Sequence, residues 1–431
     1  MALGVFEKGW TLTEATRMFR DLASRAFEFR RALKIPLYSS FAVPFCSFKY
    51  KTAGIVTALQ ESFGNDFLFG QPRGAAVQPP ASGGNSTSSS QDQVKVGVVA
   101  CLEGRYQPCL IANYSRNPLS CGTDQDILQR EDEQEKDFRT WQAARATSAA
   151  QTFFKPYYHE GTRRLYVDGA IVRNNPVRVV FDESQSIWPS CRPDIIVSLG
   201  TGIMVDKDGE HALARNAVLD SLKAVVPARL RKLAETGLSM VESTLDCQRE
   251  WDDFRHSHSF DPQLRKNLHR IDVGITNTPP KIDAVDEIGT LMEACDKYLA
   301  SGGGGSAGSD VSTAQKLKRV ARRLRASLFC FSESLRGHME GGVVKGTIHC
   351  RLSAHSEGAS SLLASGPVFR LREGVGPGRA ETFGEVRLLT QFDPATLSVQ
   401  VRFRVSPGDI ARSIDVNIAT RGPEWEPISG F

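Results

Sequence analysis

The sequence predicts an α/β fold with a parallel sheet, followed by a smaller C-terminal module of α+β or antiparallel β type. An apolar strand at 165–167, an amphipathic helix at 176–188 and an apolar strand at 195–199 form a β-α-β unit, whose crossover joins parallel strands. A Gly/Ser tract at 301–309 has the composition of a flexible linker. Beyond it, residues 397–405 alternate between apolar and polar, which predicts a strand with one buried face.

Composition and charge restrict the class of partner. The chain has 431 residues, of which 41% are hydrophobic and 24% charged, as in ordinary globular proteins of two or three domains. Its net charge of +4 is too small to indicate a nucleic-acid partner. Residues 311–431 carry 17 Lys and Arg against 11 Asp and Glu. This basic end could favour an anionic membrane surface, although a solvated surface is the simpler interpretation.

The spacing of the cysteines and the length of the apolar runs indicate the cellular compartment in which the protein is expected. Nine cysteines are irregularly spaced without a C-x-x-C pair, which argues against a disulfide framework and against a structural zinc site. Neither a secretory signal nor an apolar run long enough to span a membrane is recognisable. We therefore expect a cytoplasmic protein, in which any membrane contact is peripheral.

The N-terminal residues predict two helices. Residues 1–9, "MALGVFEKG", resemble the last turns of an apolar helix that closes at Gly9 but lacks its first turns. Thr11 and Glu14 have the spacing of a capping box, and apolar residues recur at helical spacing from there to about residue 30.

The next segments alternate between a polar insertion and apolar elements. Residues 72–93 are rich in Pro, Gly and Ser and predict a disordered insertion. Residues 94–102 and 107–115 predict two neighbouring strands, and the small residues of 140–154 suit a helix packed closely on a sheet. Segment 210–298 is predicted to be mostly helical, with Trp251 and Phe254 in the core.

Asp168 is the candidate catalytic residue. It follows the apolar strand 165–167 and forms a turn dipeptide with Gly169. Asn175 and Pro176 then predict the N-cap and first residue of a helix. Along this predicted helix, one face is formed by residues that recur at helical spacing: Val177, Val180, Phe181, Ser184 and Trp188. Asp168 therefore lies at the carboxyl end of a strand, where it could be a general base or simply a turn aspartate bonded to its own backbone.

Three segments together resemble the patatin-like phospholipases, particularly the fungal type. They are "ARATSAAQTFFKPYY", "LYVDGAIVRNNPV" and "SIWPSCRPDIIVSLGTG", in this order and at this spacing. The resemblance covers roughly residues 1–300. It implies a doubly wound, mostly parallel α/β sheet and a Ser-Asp dyad that hydrolyses acyl lipids without a cofactor. By this resemblance Asp168 is the general base, in a D-G-A motif with Gly169 and Ala170.

The resemblance also implies parts that this chain lacks. The family's nucleophilic serine lies in a G-x-S-x-G elbow, and a glycine-rich loop provides N–H groups for the oxyanion; both precede the helix that ends at Gly9. We therefore expect a chain truncated just after the elbow, with its first strands missing. Gly304, Ser306 and Gly308 match G-x-S-x-G formally, but no buried strand precedes them, so Ser306 is not expected to be a nucleophile. Ser86, in the polar insertion at 72–93, is likewise not expected to be a nucleophile.

Several other polar and basic residues are functional candidates. His159 suggests a Ser-His-Asp triad, but a solvated loop residue is preferred. His256 and His258 form H-x-H, which we interpret as a surface feature rather than a metal pair. Asn174 and Asn175 are expected to fix the turn after Asp168. The basic helix 316–328 has an apolar stripe that we expect to pack on its own domain rather than on an anionic membrane; the residues of this stripe are Leu317, Val320, Ala321, Leu324 and Leu328.

These patterns favour a lipid acyl hydrolase whose base is present and whose serine and oxyanion loop are absent, so the chain alone is expected to be inactive. The alternative is a non-catalytic lipid-binding or interaction protein derived from that fold, and a shortened gene model remains a third interpretation. The predicted domains are 1–300, a linker at 301–312, and a module of basic helix and antiparallel strands at 313–431. The substrate would be a lipid acyl ester; no protein partner is indicated.

Overall fold

A computed structural model gives the structure of the chain. It describes residues 1–27, 48–69, 94–104, 107–115, 127–129, 137–150, 153–189, 191–204, 247–257, 260, 262–275, 283–300, 313–333, 343–352, 357–372, 387–389, 393, 395–404, 415–419 and 425–429. The predicted insertion at 72–93 and the linker at 301–312 lie outside these residues, as do Ser86, His258 and Ser306.

Helices and strands alternate through most of the chain. The helices are α1 Ala2–Phe6, α2 Leu12–Ala26, α3 Thr52–Phe63, α4 Thr140–Thr147, α5 Ala170–Arg173, α6 Val177–Ile187, α7 Cys247–Ser257, α8 Pro262–Lys266, α9 Ile288–Ala300, α10 Thr313–Ala326 and α11 Glu357–Ala364. The strands are β1 Gly97–Leu102, β2 Gln107–Ala112, β3 Ile127–Gln129, β4 Tyr157–His159, β5 Arg164–Asp168, β6 Ile196–Leu199, β7 Ile203–Met204, β8 Leu268–Ile271, β9 Gly274–Ile275, β10 Phe329–Glu333, β11 Val343–Cys350, β12 Val368–Arg372, β13 Arg387–Leu389, β14 Ser398–Arg404, β15 Asp415–Ala419 and β16 Glu426–Pro427.

Two compact units divide the chain. The first contains residues 1–187, 202–257 and 273–295, and the second contains 188–201, 258–272 and 296–431. No helix among the residues that the structure describes is long and apolar enough to cross a membrane.

A five-stranded sheet in the order β3-β2-β1-β5-β4 forms the centre of the first unit. Strand β1 pairs antiparallel with β2 and with β5, while β2 and β3 are parallel. The predicted strands 94–102 and 107–115 are therefore confirmed as neighbours. Their apolar residues lie in the core beside the α4 residues Ala143 and Ala146, both fully buried. These small side chains let the helix lie close to the sheet, as the sequence predicts.

The neighbours of β5 differ from the predicted β-α-β unit. Both edges of β5 are occupied by antiparallel strands, β1 on one side and β4 on the other. The predicted parallel partner, β6, instead pairs in parallel with β8. Strands β8 and β9 lie in a segment predicted to be mostly helical, and β8 provides the parallel edge for β6. The structure is thus of mixed α and β type, with parallel and antiparallel sheets.

The N-terminal helices form where the capping residues predict them. The side chain of Thr11 accepts a hydrogen bond from the N–H of Glu14, and the Glu14 carboxylate accepts from the Thr11 N–H. This reciprocal capping box starts α2. Gly9, with φ +70°, lies between α1 and α2 in the left-handed region, which glycine adopts without a Cβ clash. The predicted core residues Trp251 and Phe254 of α7 are also buried.

The second unit has a core of its own. An antiparallel sheet in the order β10-β11-β14 and another in the order β13-β12-β15-β16 contribute apolar residues to it. Phe329 and Phe369 meet edge to face there, with ring centroids 5.1 Å apart. In β14 the predicted alternation is confirmed where side chains are described, since Val399 and Val401 are buried and Gln400 is exposed.

Candidate active site at the end of β5

Three strands of the five-stranded sheet end at the same edge. Strands β2 and β5 both run antiparallel to β1, and β3 runs parallel to β2, so β2, β3 and β5 point in one direction. Asp168 is the last residue of β5 and lies opposite Ala100 of β1. It therefore occupies the carboxyl edge of these strands, where α/β sheets commonly bind ligands.

Backbone groups hold Asp168 on both sides. Its N–H donates to the carbonyl oxygen of Ala149, at 3.1 Å, in the segment that follows α4. Its Oδ1 accepts the N–H of Ala170 at 2.9 Å. In the described part of the chain the second carboxylate oxygen has no hydrogen-bond partner. Asp168 thus bonds to its own backbone, as the turn interpretation predicts, and its second carboxylate oxygen remains available for a reaction.

The surroundings of Asp168 make its carboxylate a stronger base. Burial raises the pKa of the Asp168 carboxyl above its ordinary value, and the hydrogen bond from the Ala170 N–H lowers it by a smaller amount. A raised pKa stabilises the protonated carboxyl. A general base at this position would therefore take up a proton more readily than an exposed aspartate does.

Gly169 allows the chain to turn against the neighbouring strand. A Cβ at this position would come within 2.3 Å of the carbonyl oxygen of Val99 in β1. The same oxygen accepts a hydrogen bond from the Thr147 hydroxyl at 2.6 Å. Glycine is therefore needed at position 169 because of a backbone contact, and Thr147 holds the carbonyl that defines this contact.

Helix α6 begins at Val177, one residue after the predicted start at Pro176, and buries only part of the predicted face. The N–H of Val177 donates to Oδ1 of Asn175, and the Asn175 amide donates to the carbonyl of Cys247 at 3.1 Å. Val179 and Glu183 are buried in α6. The predicted face is wrong at two positions, because Val180 is 60% and Trp188 45% exposed. The Tyr114 hydroxyl donates to Glu183 at 3.0 Å, which offsets the cost of burying this carboxylate.

Arg145 is a buried residue next to the site that the sequence analysis did not single out. Its guanidinium donates to the carbonyl of Lys155 at 2.6 Å and lies 5.7 and 5.9 Å from the rings of Phe154 and Tyr157. Burial lowers the pKa of Arg145 to about 10. This hydrogen bond links α4 to Lys155, just before β4.

His159 is not the solvated loop residue that we expected. It is buried in β4, and its ring stacks on Phe138 with centroids 3.9 Å apart. The N–H of Thr162 donates to Nδ1, so the ring proton is on Nε2 and faces Gln142 Oε1 at 3.3 Å. His159 pairs with Arg164, four residues from Asp168, or about 13 Å along the strand. This distance places it outside a triad with Asp168.

The other candidate residues give no second site in the described residues. His256 is exposed and its Nδ1 lies 2.6 Å from the carbonyl oxygen of Asp252 on its own helix. Within the described ranges no group of three or more His, Cys, Asp or Glu could hold a metal ion. No serine hydroxyl in those ranges hydrogen-bonds to Asp168, and Ser148, close to it in the fold, donates to Ala144 of its own helix.

Comparison with known proteins shows a local similarity to phospholipases around this site. Residues 119–181, which include Asp168, match the family model of patatin-like phospholipases. The chain is 31% identical over 115 residues to phospholipase A I of Arabidopsis thaliana. It is 42% identical over 65 residues to calcium-independent phospholipase A2-gamma of Rattus norvegicus, and 40% identical over 99 residues to that of Oryctolagus cuniculus.

These matches are local. They cover 26%, 15% and 23% of this chain, and 7%, 8% and 12% of the three relatives' own lengths. The predicted resemblance to patatin-like phospholipases is confirmed, and it includes the strand, turn and helix around Asp168. Residues 119–181 are thus similar to a part of the patatin-like phospholipases.

Proposed function

We propose that this chain derives from a lipid acyl hydrolase in which Asp168 is the general base of a Ser-Asp dyad. The observation that carries the proposal is the position of Asp168 at the carboxyl edge of β5, inside the segment that matches the phospholipase family. Its carboxylate is partly buried, anchored through Oδ1 and without a hydrogen-bond partner at its second oxygen within the described residues.

The chemistry assigns each part a role. The second oxygen of Asp168 takes the proton of a serine hydroxyl while the serine oxygen bonds to the ester carbonyl carbon, whose π electrons move to the carbonyl oxygen. When this intermediate collapses, the bond to the alcohol breaks and Asp168 returns the proton to the leaving oxygen. Water then repeats the sequence on the acyl-serine and releases the fatty acid. A carboxylate suits both steps because its raised pKa lies closer to neutrality.

The serine is not supplied by these 431 residues in a suitable context. In the single G-x-S-x-G pattern, Gly304–Gly308, Ser306 follows four glycines and no apolar strand. We therefore expect little or no ester hydrolysis by the chain as given. Only a longer form with a strand, an elbow serine and a glycine-rich loop in frame before Met1 would be active. This form would hydrolyse phospholipid or neutral acyl esters.

A pair of assays tests this proposal. The 431-residue chain and the longest in-frame coding form are each given a short-chain chromogenic ester and a serine-reactive fluorophosphonate. We expect Asp168-dependent turnover and labelling in the longer form only. Turnover by the 431-residue chain that survives Asp168→Ala, or labelling at Ser306, would overturn the assignment.

We also propose that the reaction needs no metal cofactor. The mammalian relatives are named as calcium-independent enzymes, and the dyad uses a carboxylate rather than a bound ion to activate the serine. Turnover by the longer form should therefore be the same with and without a calcium chelator. A loss of turnover that added calcium restores would contradict this part of the proposal.

A second candidate function is a non-catalytic lipid-binding protein that keeps the fold without the nucleophile. The basic helix α10 favours it, since three of its six cationic residues, Lys318, Arg319 and Arg325, are exposed and cationic side chains suit contact with anionic lipid. Lipid binding without turnover in every form of the chain would select this candidate over the hydrolase.

A further inference from the structure

Helix α10 packs on its own unit through a side that includes a buried arginine. Val320 and Ala326 are buried, and between them Arg323 is only 2% exposed. Arg323 donates to the backbone carbonyl and the carboxylate of Asp194 and to the carbonyl of Pro427. These bonds anchor the second half of the helix. The sequence prediction that α10 packs on its own domain is thus met.

The apolar stripe predicted for α10 is only partly the packed side. Ala321 is exposed and Leu324 is 48% exposed, so the prediction is wrong at these two positions. The packed side continues from Arg323 through basic residues instead. Arg319 lies four residues before Arg323, and Lys316 lies three residues before Arg319, which places them on neighbouring turns of the same side. Cationic side chains therefore border the contact of the first half of α10 with its unit.

His269 of β8 is buried next to these cations. Helix α10 packs against β8, and His269 is only 9% exposed. Its Nε2 atom is buried and has no hydrogen-bond partner among the described residues. Burial lowers the pKa of His269, and the charges of Arg319 and then of Lys316 lower it further. The imidazole is therefore held in its neutral form.

The carboxylates of the neighbouring elements face other cations. Asp194, just before β6, accepts from Arg323 at 2.9 Å. Glu426 of β16 lies 3.7 Å from Arg322. Both carboxylates thus face the second half of α10, beyond Lys316 and Arg319 in the chain.

The strands around His269 offer it no opposite charge in the described part of the chain. The residue opposite His269 in β6 is Val197, which does not titrate. The next residue of β8, Arg270, donates to Ser198 at 2.8 Å and to Asp272 at 2.6 Å, so that this carboxylate also faces a cation of its own. A proton on His269 would therefore add a positive charge to a buried place that is already positive.

We propose that the contact between His269 and α10 is a pH-sensitive switch, which holds the first half of α10 against β8 at neutral pH and loosens it in mild acid. Protonation gives the imidazole a buried charge without an acceptor, beside Arg319 and Lys316. Movement of the first half of α10 away from β8 hydrates this charge. The bonds of Arg323 keep the second half attached, so the opening is local.

The direction of the pH dependence follows from the lowered pKa of His269. Since the folded-state pKa lies below the ordinary value of 6.5, the closed contact is stable above pH 6.5 and loses stability as pH falls toward the folded pKa. The open form takes up a proton with the ordinary pKa. The equilibrium constant for opening should therefore rise severalfold from pH 7.5 to pH 5.5, with a ceiling of about tenfold.

Hydrogen–deuterium exchange of the 431-residue protein measures this opening. Amide protection in residues 316–322 is compared with protection in β1 and β2 of the first unit, at pH 7.5 and at pH 5.5, after correction for the chemical exchange rate at each pH. We expect the protection of residues 316–322 to fall severalfold in acid relative to that of β1 and β2.

Three variants separate His269 from other titrating groups. His269→Gln keeps a polar side chain that takes up no proton, so residues 316–322 should keep their protection at pH 5.5. Arg319→Gln removes one of the repelling charges and should make the fall smaller. The matched control is His159→Gln, which removes a buried histidine of the first unit and should leave the fall in α10 unchanged.

Three results would overturn the inference. One is a wild-type α10 whose protection changes no more in acid than that of β1 and β2. Another is a fall of the same size in His269→Gln, or in His269→Asn if the glutamine variant does not fold. The third is a fall that His159→Gln abolishes. None of these results depends on ester hydrolysis, so the inference is independent of the proposed function.

Discussion

Gly169 packs against Val99 of the adjacent strand so closely that a Cβ at position 169 would lie 2.3 Å from the Val99 carbonyl oxygen. The contact joins the turn after Asp168 to the adjacent strand β1. The same carbonyl accepts the Thr147 hydroxyl. The position of the candidate base is therefore set by backbone packing, and changes at Gly169 should affect stability as well as the site.

Gly169→Ala should lower the free energy of unfolding by about 1–3 kcal/mol, because the added methyl group must displace backbone rather than a flexible side chain. Urea denaturation followed by circular dichroism measures this change. Gly289→Ala is a matched control, since the nearest atom to its Cβ, on Arg20, is 4.0 Å away and alanine favours helix. If Gly169→Ala were as stable as the control, the close contact with Val99 would be refuted.

Asp168→Asn should raise stability near neutral pH. The folded-state pKa of Asp168 lies above its unfolded value, so its contribution to stability is fully present below the unfolded pKa and is lost as pH rises through the folded pKa. Asparagine removes the buried charge and keeps an oxygen for the Ala170 N–H. The urea midpoint of Asp168→Asn should be higher than that of the wild type at pH 7, and this difference should disappear at a pH below 3.8. A loss of stability at pH 7 would contradict the cause assigned to this pKa.

His159 should make the protein less stable in mild acid. Burial lowers its pKa from 6.5 to about 4, so its contribution to stability is present above pH 6.5 and is lost as pH falls toward 4. The unfolded chain binds a proton that the folded chain excludes, which costs on the order of 3 kcal/mol over this range. His159→Gln should flatten the dependence of the urea midpoint between pH 7 and pH 4.5. An unchanged slope in the variant would show that other groups cause it.

Arg323→Ala should destabilise the second unit by about 3–5 kcal/mol, because it leaves Asp194 and two carbonyl groups without their buried donor. The thermal midpoint of unfolding measures the effect. Arg249→Ala breaks an exposed i,i+4 pair on α7 and should change stability by less than about 1 kcal/mol. Similar effects of the two changes would mean that Arg323 does not orient α10.

Local signals in the sequence were sufficient for the elements around the site. Capping at Thr11 and Glu14, the Asp168–Gly169 turn and Asn175 before α6 each depend on residues close in sequence, so their chemistry is readable without the fold. The strands β1, β5 and β6 were predicted for the same reason, from their apolar runs.

Long-range pairing and burial were not predictable. The sequence does not show that antiparallel strands cover both edges of β5, because register depends on segments far along the chain. His159 was predicted to be exposed, yet it is buried by stacking on Phe138. In α6, apolar residues occur on two faces, and the buried face is the one that packs Val179 with Tyr114, whose hydroxyl donates to Glu183.

The proposed hydrolysis depends above all on Asp168 as the group that takes a proton from a serine hydroxyl. The most direct test compares ester hydrolysis by the longest in-frame form of the chain with that of its Asp168→Asn variant. The two proteins are compared at the same folded fraction and at the same fraction of molecules labelled by the fluorophosphonate. Removal of a general base predicts a loss in kcat of about 100-fold or more, with KM little changed. A variant that retains more than about a tenth of the wild-type kcat would contradict the account.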